Sequence, residues 1–279
     1  MATIKASDKV NSPGRRALVT GASSGLGAAI AHRLAAAGWE VHGTSRKPAA
    51  EHAHHSVTIQ WHQVDLSDPD NVEAWIKEQP QLFASVHLLV NNAGFGLIGP
   101  LEALDPQKVT DQLHCLLATP VRLCQAVLPA MKTRGAGVIL NVSSLAAELP
   151  LPYAATYNAA KAGLSALSTS LQTECHGSGV RVIDFRPGDL QTPFNQNTVL
   201  SLKGDKNAAR AWQAMERHAA ESPTVAACAD AVLELVTHQR QKRARWGGWI
   251  QAHLAPLGVR LLPSSWMASF IRRYYGLKG

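Results

Sequence analysis

The chain has 279 residues, 46% apolar and 17% charged, with a formal net charge of +7. That balance excludes an intrinsically disordered protein, which combines low hydrophobicity with high charge. No apolar run approaches the roughly 20 residues of a membrane span. Short apolar runs then alternate with longer helical patterns. Arg16–Thr20 reads as a strand and Leu26–Ala37 as a helix stopped by Gly38. Glu40–Thr44, Val57–Val64 and Val86–Val90 read as further strands. Val72–Lys77 sits in a short helix capped among Ser67–Asp70. Pro106–Met131 is helical in pattern despite Pro120. Val138–Val142 is a strand, Tyr153–Cys175 a long helix and Val180–Phe185 another strand. The alternation implies an α/β fold: a doubly wound parallel sheet, Rossmann-like, covered on both faces. After Gly188 it gives way to a loop-and-helix insertion, a helix over Pro223–Gln239 and an irregular tail. With no internal repeat and no low-complexity linker, one domain is expected over residues 14–245, with a helical substrate lid at 189–222 and a C-terminal extension at 246–279.

The first strand runs into Thr20-Gly21-Ala22-Ser23-Ser24-Gly25-Leu26-Gly27, and a helix follows at once. Glycines let a backbone turn sharply and let a pyrophosphate approach, and a helix N-terminus offers free N–H groups. Further on, Tyr157 and Lys161 stand four residues apart in one helix, so they share a face. An ammonium beside a phenol stabilises phenolate and lowers its pKa from near 10. Such a phenol can exchange a proton with a carbonyl or alcohol oxygen. Ser144 can hydrogen-bond the same oxygen.

The spacing Gly21-x-x-x-Gly25-x-Gly27 resembles the classical branch of the short-chain dehydrogenase/reductase family. Asn91-Asn92-Ala93-Gly94 follows the fourth strand in the family's order. Ser144 stands thirteen residues before Tyr157-x-x-x-Lys161, and Pro187-Gly188 follows the sixth strand, with Thr192 beyond. The resemblance covers about Arg16 to Thr192. It implies Ser144, Tyr157 and Lys161 as catalytic residues, with Lys161 also holding the nicotinamide ribose. It implies cofactor contacts from Gly21, Ser23, Ser24, Gly25, Leu26 and Gly27, from Asp65 and Leu66 at the adenine, from Asn91, Asn92, Ala93 and Gly94 along the adenosine wall, and from Pro187, Gly188, Leu190 and Thr192 near the nicotinamide. One departure stands out. The family's helix Asn, which helps position a relay water, falls on Leu116 here. His114 lies two residues earlier, and a local bulge would bring it inward.

Family members that prefer NAD usually end the second strand with Asp. Here Ser45 stands there, followed by Arg46 and Lys47. A hydroxyl and a guanidinium attract a ribose 2′-phosphate that a carboxylate would repel, so the expected cofactor is NADP(H). Phe95, Leu97, Leu145, Leu149 and Leu151, with Val199, Leu200, Leu202, Trp212 and Met215 from the lid, give an apolar approach. The expected partner is therefore a lipophilic carbonyl or alcohol substrate.

Charge is uneven along the chain. After Glu234 there is no acid and there are eight bases: Arg240, Lys242, Arg243, Arg245, Arg260, Arg272, Arg273 and Lys278. Trp246, Trp249, Trp266 and Phe270 accompany them, which suits peripheral membrane contact or a tail packed on its own domain. No nucleic-acid reader motif is present, and His52, His54, His55 and His62 lack an ordered acid or Cys partner, so no metal is expected. Cys115, Cys124, Cys175 and Cys228 have no metal-ligand spacing and read as reduced thiols. With no apolar run before Arg16, they indicate a cytoplasmic protein. The resemblance implies a homo-oligomer, a dimer or tetramer, and Leu164, Leu167 and Leu171 offer a face for it or for the interior. The alternative function is a cofactor-binding sensor or scaffold with little or no turnover, which Leu116 supports and the Ser144, Tyr157 and Lys161 set opposes. A non-redox lyase or epimerase on the same fold is a third.

Overall fold

Apolar runs bounded by turns become a parallel sheet in the computed structural model, which describes residues 14–52, 58–192, 194–237, 243–248 and 261–277. The described strands are β1 (Arg16–Val19), β2 (Glu40–Ser45), β3 (Ile59–Gln63), β4 (Val86–Asn91), β5 (Leu97–Ile98), β6 (Gly137–Val142), β7 (Val180–Pro187), β8 (Val199–Leu200) and β9 (Arg243–Trp246). Seven of them form one sheet in the order β3-β2-β1-β4-β6-β7-β9, every pair parallel. β5 and β8 form a separate two-stranded parallel pair. The helices are α1 (Gly25–Ala36), α2 (Pro69–Glu78), α3 (Pro80–Ser85), α4 (Pro106–Leu113), α5 (Thr119–Arg134), α6 (Ala155–Glu174), α7 (Lys206–Ala220), α8 (Val225–Thr237) and α9 (Ser264–Tyr274). Asp68, Asp105 and Asp205 cap α2, α4 and α7, each carboxylate accepting from two N–H groups of the first turn. That satisfies donors a helix leaves unpaired.

Successive side chains of a strand point to opposite faces. Ala17, Val19, Leu88, Val90 and Leu140 meet α1 and α8 on one face, through Ile30, Leu34 and Val232. Leu18, Leu89, Ile139 and Val182 meet α5 and α6 on the other, through Leu123, Val127, Met131 and Leu171. Both faces are covered, so the strands carry continuous apolar runs. Residues Pro106–Arg134 are long and apolar enough to cross a membrane by length and composition, but Leu123, Val127 and Met131 are fully buried against the sheet. Leu164 and Leu171 are also buried within the chain, so this stripe serves the interior. The four cysteines are free and buried.

Three features depart from the sequence expectation. First, the tail is not irregular throughout: it supplies β9 and α9. β9 carries the charged sequence Arg-Ala-Arg-Trp, which has no apolar run to mark it. The boundary expected at 245/246 falls inside this strand. Second, α4 and α5 are joined by a π-helical turn, His114–Ala118, in which the Thr119 N–H donates to the His114 carbonyl five residues back. Pro120 has no N–H for the Leu116 carbonyl, and a helix adjusts locally around such a gap. Third, α3 and the β5–β8 pair had no sequence signal of their own. His54, His55, Trp249, Arg240, Lys242, Arg260, Lys278 and the side chain of His52 lie outside the described residues. Among the described residues, no group of three or more His, Cys, Asp or Glu clusters as a metal site would require; His62 instead pairs with His42, ring nitrogen to ring nitrogen at 2.9 Å.

A charged network braces the β6–β7–β9 side. Asp184 is fully buried. It accepts from the Ser143 hydroxyl, from the Ser165 hydroxyl at 2.7 Å and from Arg186 Nε at 2.8 Å. Arg243 Nε lies 3.4 Å away. Arg186 also donates to Glu148, and Arg245 holds the same carboxylate through two bonds of 2.9 and 3.1 Å. Breaking a buried pair by removing one partner costs about 3–5 kcal/mol. Asp184→Ala is therefore expected to lower the urea midpoint sharply. Asp230→Ala, which breaks the exposed Arg33–Asp230 pair, leaves it nearly unchanged, because an exposed pair is solvated in either state. Equal shifts for the two variants would refute this ranking.

Candidate active site

The sheet order reverses between β1 and β4, and parallel sheets open a crevice at such a point beyond the strands' carboxyl ends. The Thr20 hydroxyl closes the floor of that crevice. It donates to the Val90 carbonyl and accepts from the Asn92 and Ala93 N–H groups at 2.9 and 3.0 Å. Asn92 Nδ2 returns a bond to the Thr20 carbonyl. Gly21 takes φ +65°, and a Cβ there would lie 2.9 Å from Ala93 Cα. A Cβ on Gly27 would lie 2.3 Å from the Gly21 carbonyl oxygen and 2.4 Å from Asn92 Nδ2. The turn therefore admits only glycine at these two places, and α1 begins without a side-chain cap on its first N–H groups. That is a cradle suited to a pyrophosphate.

One cavity of about 670 Å³ runs from this cradle to the lid. Gly21, Ser23, Ser24, Gly25 and Leu26 line it, as do Ser45, Arg46, Asp65, Leu66, Asn92, Ala93 and Gly94. At its other end stand Ser144, Tyr157, Lys161, Pro187, Gly188, Leu190 and Thr192. Gly27 and Lys47 are not among the lining residues. Gly27 is consumed in packing the turn, and Lys47 pairs with Glu51 at 3.0 Å. Asn91 also turns away from the cavity: its amide donates to Asn141 at 2.8 Å, and Asn141 donates to Ser168 at 2.9 Å, joining β4, β6 and α6. The residues present fit a dinucleotide, with Arg46 exposed at the rim beside buried Ser45.

β6 and α6 bring the expected catalytic side chains together. β6 ends at Val142 and delivers Ser144, whose Oγ accepts from the Ala146 N–H at 3.0 Å. α6 presents Tyr157 and Lys161 one turn apart. Tyr157 and Ser144 face the same cavity, and Lys161 Nζ donates to the Val142 carbonyl at 2.7 Å. Burial pushes the Tyr157 phenol up to about 12, against the opposing influence of the Ser144 hydroxyl. Burial likewise brings the Lys161 ammonium down to about 8. The sequence suggested a lowered phenol. In the fold the ammonium stands 5.7 Å over the ring centroid, held by a backbone carbonyl, so desolvation prevails.

Leu116 and His114 have distinct fates. Leu116 is buried, and a Cβ added to Gly94 would meet its Cδ2 at 2.4 Å. It fills the corner behind Gly94 and presents no hydrogen-bonding group there. The bulge exists, but it is Cys115, not His114, that lines the cavity. On the lid side, Phe95, Leu145, Leu149, Leu151, Val199, Trp212 and Met215 line the cavity, whereas Leu97, Leu200 and Leu202 do not. Missed from sequence were Asp189, Phe194 and four residues in or just after α9: Phe270, Ile271, Tyr274 and Tyr275. Phe194 stands edge-on to Tyr157 with centroids 6.0 Å apart. The aromatic spacing in the tail was the available signal for α9, but nothing local aims it at the site.

Comparison with known proteins gives concordant results. A family model described as short chain dehydrogenase matches residues 15–202. A 3-ketodihydrosphingosine reductase of Bacteroides thetaiotaomicron is 35% identical over 184 residues, covering 66% of this chain and 67% of that one. A crystal structure of a short-chain dehydrogenase from Streptomyces avermitilis superposes with a TM-score of 0.74 at 28% identity, covering 92% of this chain and 97% of that one. A metagenomic short-chain oxidoreductase in complex with NADP superposes with a TM-score of 0.64 at 29% identity, covering 84% and 97%.

The crowded turn yields a direct test. Gly27→Ala overpacks the cradle, a change that costs about 1–3 kcal/mol. It is expected to lower the melting temperature and to weaken binding of the reduced nicotinamide dinucleotide in a fluorescence titration. Unchanged affinity would show that this turn does not cradle the dinucleotide.

Proposed function

This chain belongs to the short-chain dehydrogenase family, oxidoreductases that bind a nicotinamide cofactor and act on CH–OH or C=O groups, and from that premise we propose that it uses NADP(H) to interconvert a lipophilic ketone or aldehyde and its alcohol. The observation that carries this reading is Ser144, Tyr157 and Lys161 gathered at the apolar end of a cavity whose other end passes Ser45 and Arg46. The reading also draws support from the NADP bound to the metagenomic neighbour. The Bacteroides relative is by name a reductase of a keto compound.

When bound, the cofactor supplies or takes the hydride. Tyr157 holds the proton at its Oη and gives it to the carbonyl oxygen during reduction, or takes it from the alcohol in reverse. A phenol raised to about 12 is fully protonated at neutral pH, which fits it as the donor. Ser144 Oγ steadies the oxygen as charge develops. Lys161 Nζ, fixed by the Val142 carbonyl, keeps a positive charge beside the phenol, and by the family resemblance it would hold the ribose hydroxyls. Asp189 lines the cavity and its charge acts on Tyr157. A carboxylate there disfavours an anionic substrate, and Leu149, Leu151, Trp212 and Met215 favour an apolar one. Leu116 supports the second reading, a cofactor-binding sensor, because no side chain at that position can serve a water relay.

Two measurements test the proposal. NADPH oxidation over a panel of lipophilic ketones and aldehydes is expected to show turnover that falls about 10²–10⁴-fold in Tyr157→Phe, the contribution typical of a positioned acid. Tight NADPH binding with no turnover across the panel would favour the sensor. The pH profile gives an independent check. Lys161 carries its charge below about 8 and loses it above, so kcat/KM for reduction is expected to hold through neutral pH and fall on the alkaline side of about 8. A profile flat to pH 10 would exclude a role for that charge.

A further inference from the structure

We propose that α9 and the cavity rim beside it form a portal that rests on an anionic lipid surface, through which the apolar substrate passes from the bilayer into the site. This deepens the lipophilic-substrate reading by assigning a partner to one face of the molecule. One side of α9 is firmly seated: Met267 and Tyr275 are buried, and Ile271 and Tyr275 pack with Trp212 and Met215 of α7. The His218 ring of α7 lies 4.4 Å from the Tyr274 ring and 5.8 Å from the Tyr275 ring. The other side carries exposed aromatic surface, with Tyr274 at the border between the two. Trp266, Phe270 and Tyr274 follow at four-residue spacing with 67%, 51% and 40% of their surface exposed, and Leu261 and Leu262 precede them, also exposed.

Phe270 and Tyr274 belong to both surfaces. They are exposed, and they line the cavity together with Val199, itself 40% exposed. The cavity therefore reaches the surface at the apolar stripe as well as at the rim where Arg46 stands. An eleven-residue helix is about 16 Å long, too short for a hydrocarbon core of roughly 30 Å, so α9 suits the plane of the interface, where Trp and Tyr are favoured.

Charge selects the occupant. Arg272 and Arg273 are exposed on α9, and the chain carries no acid after Glu234. Arg243 and Arg245 are engaged with Asp184 and Glu148, so among the described residues of the tail the bases without an acid partner shown are those of α9. A two-fold contact with a second copy would set like patches against each other, placing these arginines beside their own counterparts with no acid in α9 to receive them. Anionic headgroups match both the bases and the stripe.

The test uses the full chain without substrate. Flotation is measured with phosphatidylcholine vesicles and with equimolar phosphatidylcholine–phosphatidylglycerol vesicles. The expected result is several-fold more protein floating with the anionic vesicles. Trp266→Glu and the double variant Arg272→Gln/Arg273→Gln should each abolish that excess while NADPH fluorescence titration stays unchanged, since none of the three residues lines the cavity. Equal flotation of wild type and variants, or none by any of them, overturns the proposal. So does a wild-type dimer that Trp266→Glu converts to monomer without vesicle binding, which would assign the stripe to a second copy. Flotation as expected without carbonyl turnover supports the lipid contact and overturns only the reductase reading.

Discussion

A carboxylate sealed from water organises the side of this fold that carries Ser144, Tyr157 and Lys161. Charging Asp184 in the interior carries a desolvation penalty of several kcal/mol, so every donor around it is obligatory. Those donors come from chosen places. Ser143 immediately precedes Ser144, and Ser165 stands one turn beyond Lys161 on α6. Satisfying the carboxylate thus fixes the serine loop against the helix that carries Tyr157. Arg186 completes the shell and extends it to Glu148 on that same loop. Arg245 reaches Glu148 from β9, and the Trp246 carbonyl of β9 accepts from the Gly188 N–H at 2.7 Å. One electrostatic requirement therefore places the loop that holds Ser144, the helix face that holds Tyr157 and Lys161, and the turn at Pro187 and Gly188.

The other half of the cavity is set by close packing instead. Thr20 spends its hydroxyl on the Val90 carbonyl and on the two N–H groups that follow β4. Gly21 and Gly27 leave no room for a side chain. Rigidity here is steric and at Asp184 it is ionic, and the cavity spans the two. The same burial that makes these constraints effective sets the resting protonation: it raises the phenol and lowers the ammonium, leaving a proton on Tyr157 and a charge on Lys161 at neutral pH.

The basic end of the chain divides into two uses. Arg243 and Arg245 pair with acids of the body, and their strand extends the sheet. Arg272 and Arg273 face outward from a helix whose other side closes the cavity. A composition that looks uniform along the sequence is therefore structural in one segment and surface-forming in the next.

Much of this was legible without coordinates. Short continuous apolar runs alternating with helical patterns, and the glycine spacing, mark the order of strands and helices, since both depend on neighbours within a few residues. Tyr157 and Lys161 read as a pair because four residues make one helical turn, and Ser45 in place of an acid reads as a charge preference. What was not legible depended on partners distant in sequence. The Arg-Ala-Arg-Trp run became a strand because Asp184 and Glu148, far back in the chain, absorb its charges at the sheet's edge. Lys47 turned to Glu51 and Asn91 to Asn141, choices made by what lay within reach. Cys115, rather than His114, reached the cavity because a π turn before Pro120 rotates that helix. The phenol rose instead of falling because proximity in sequence says which charges are near, whereas the dielectric around them comes from packing.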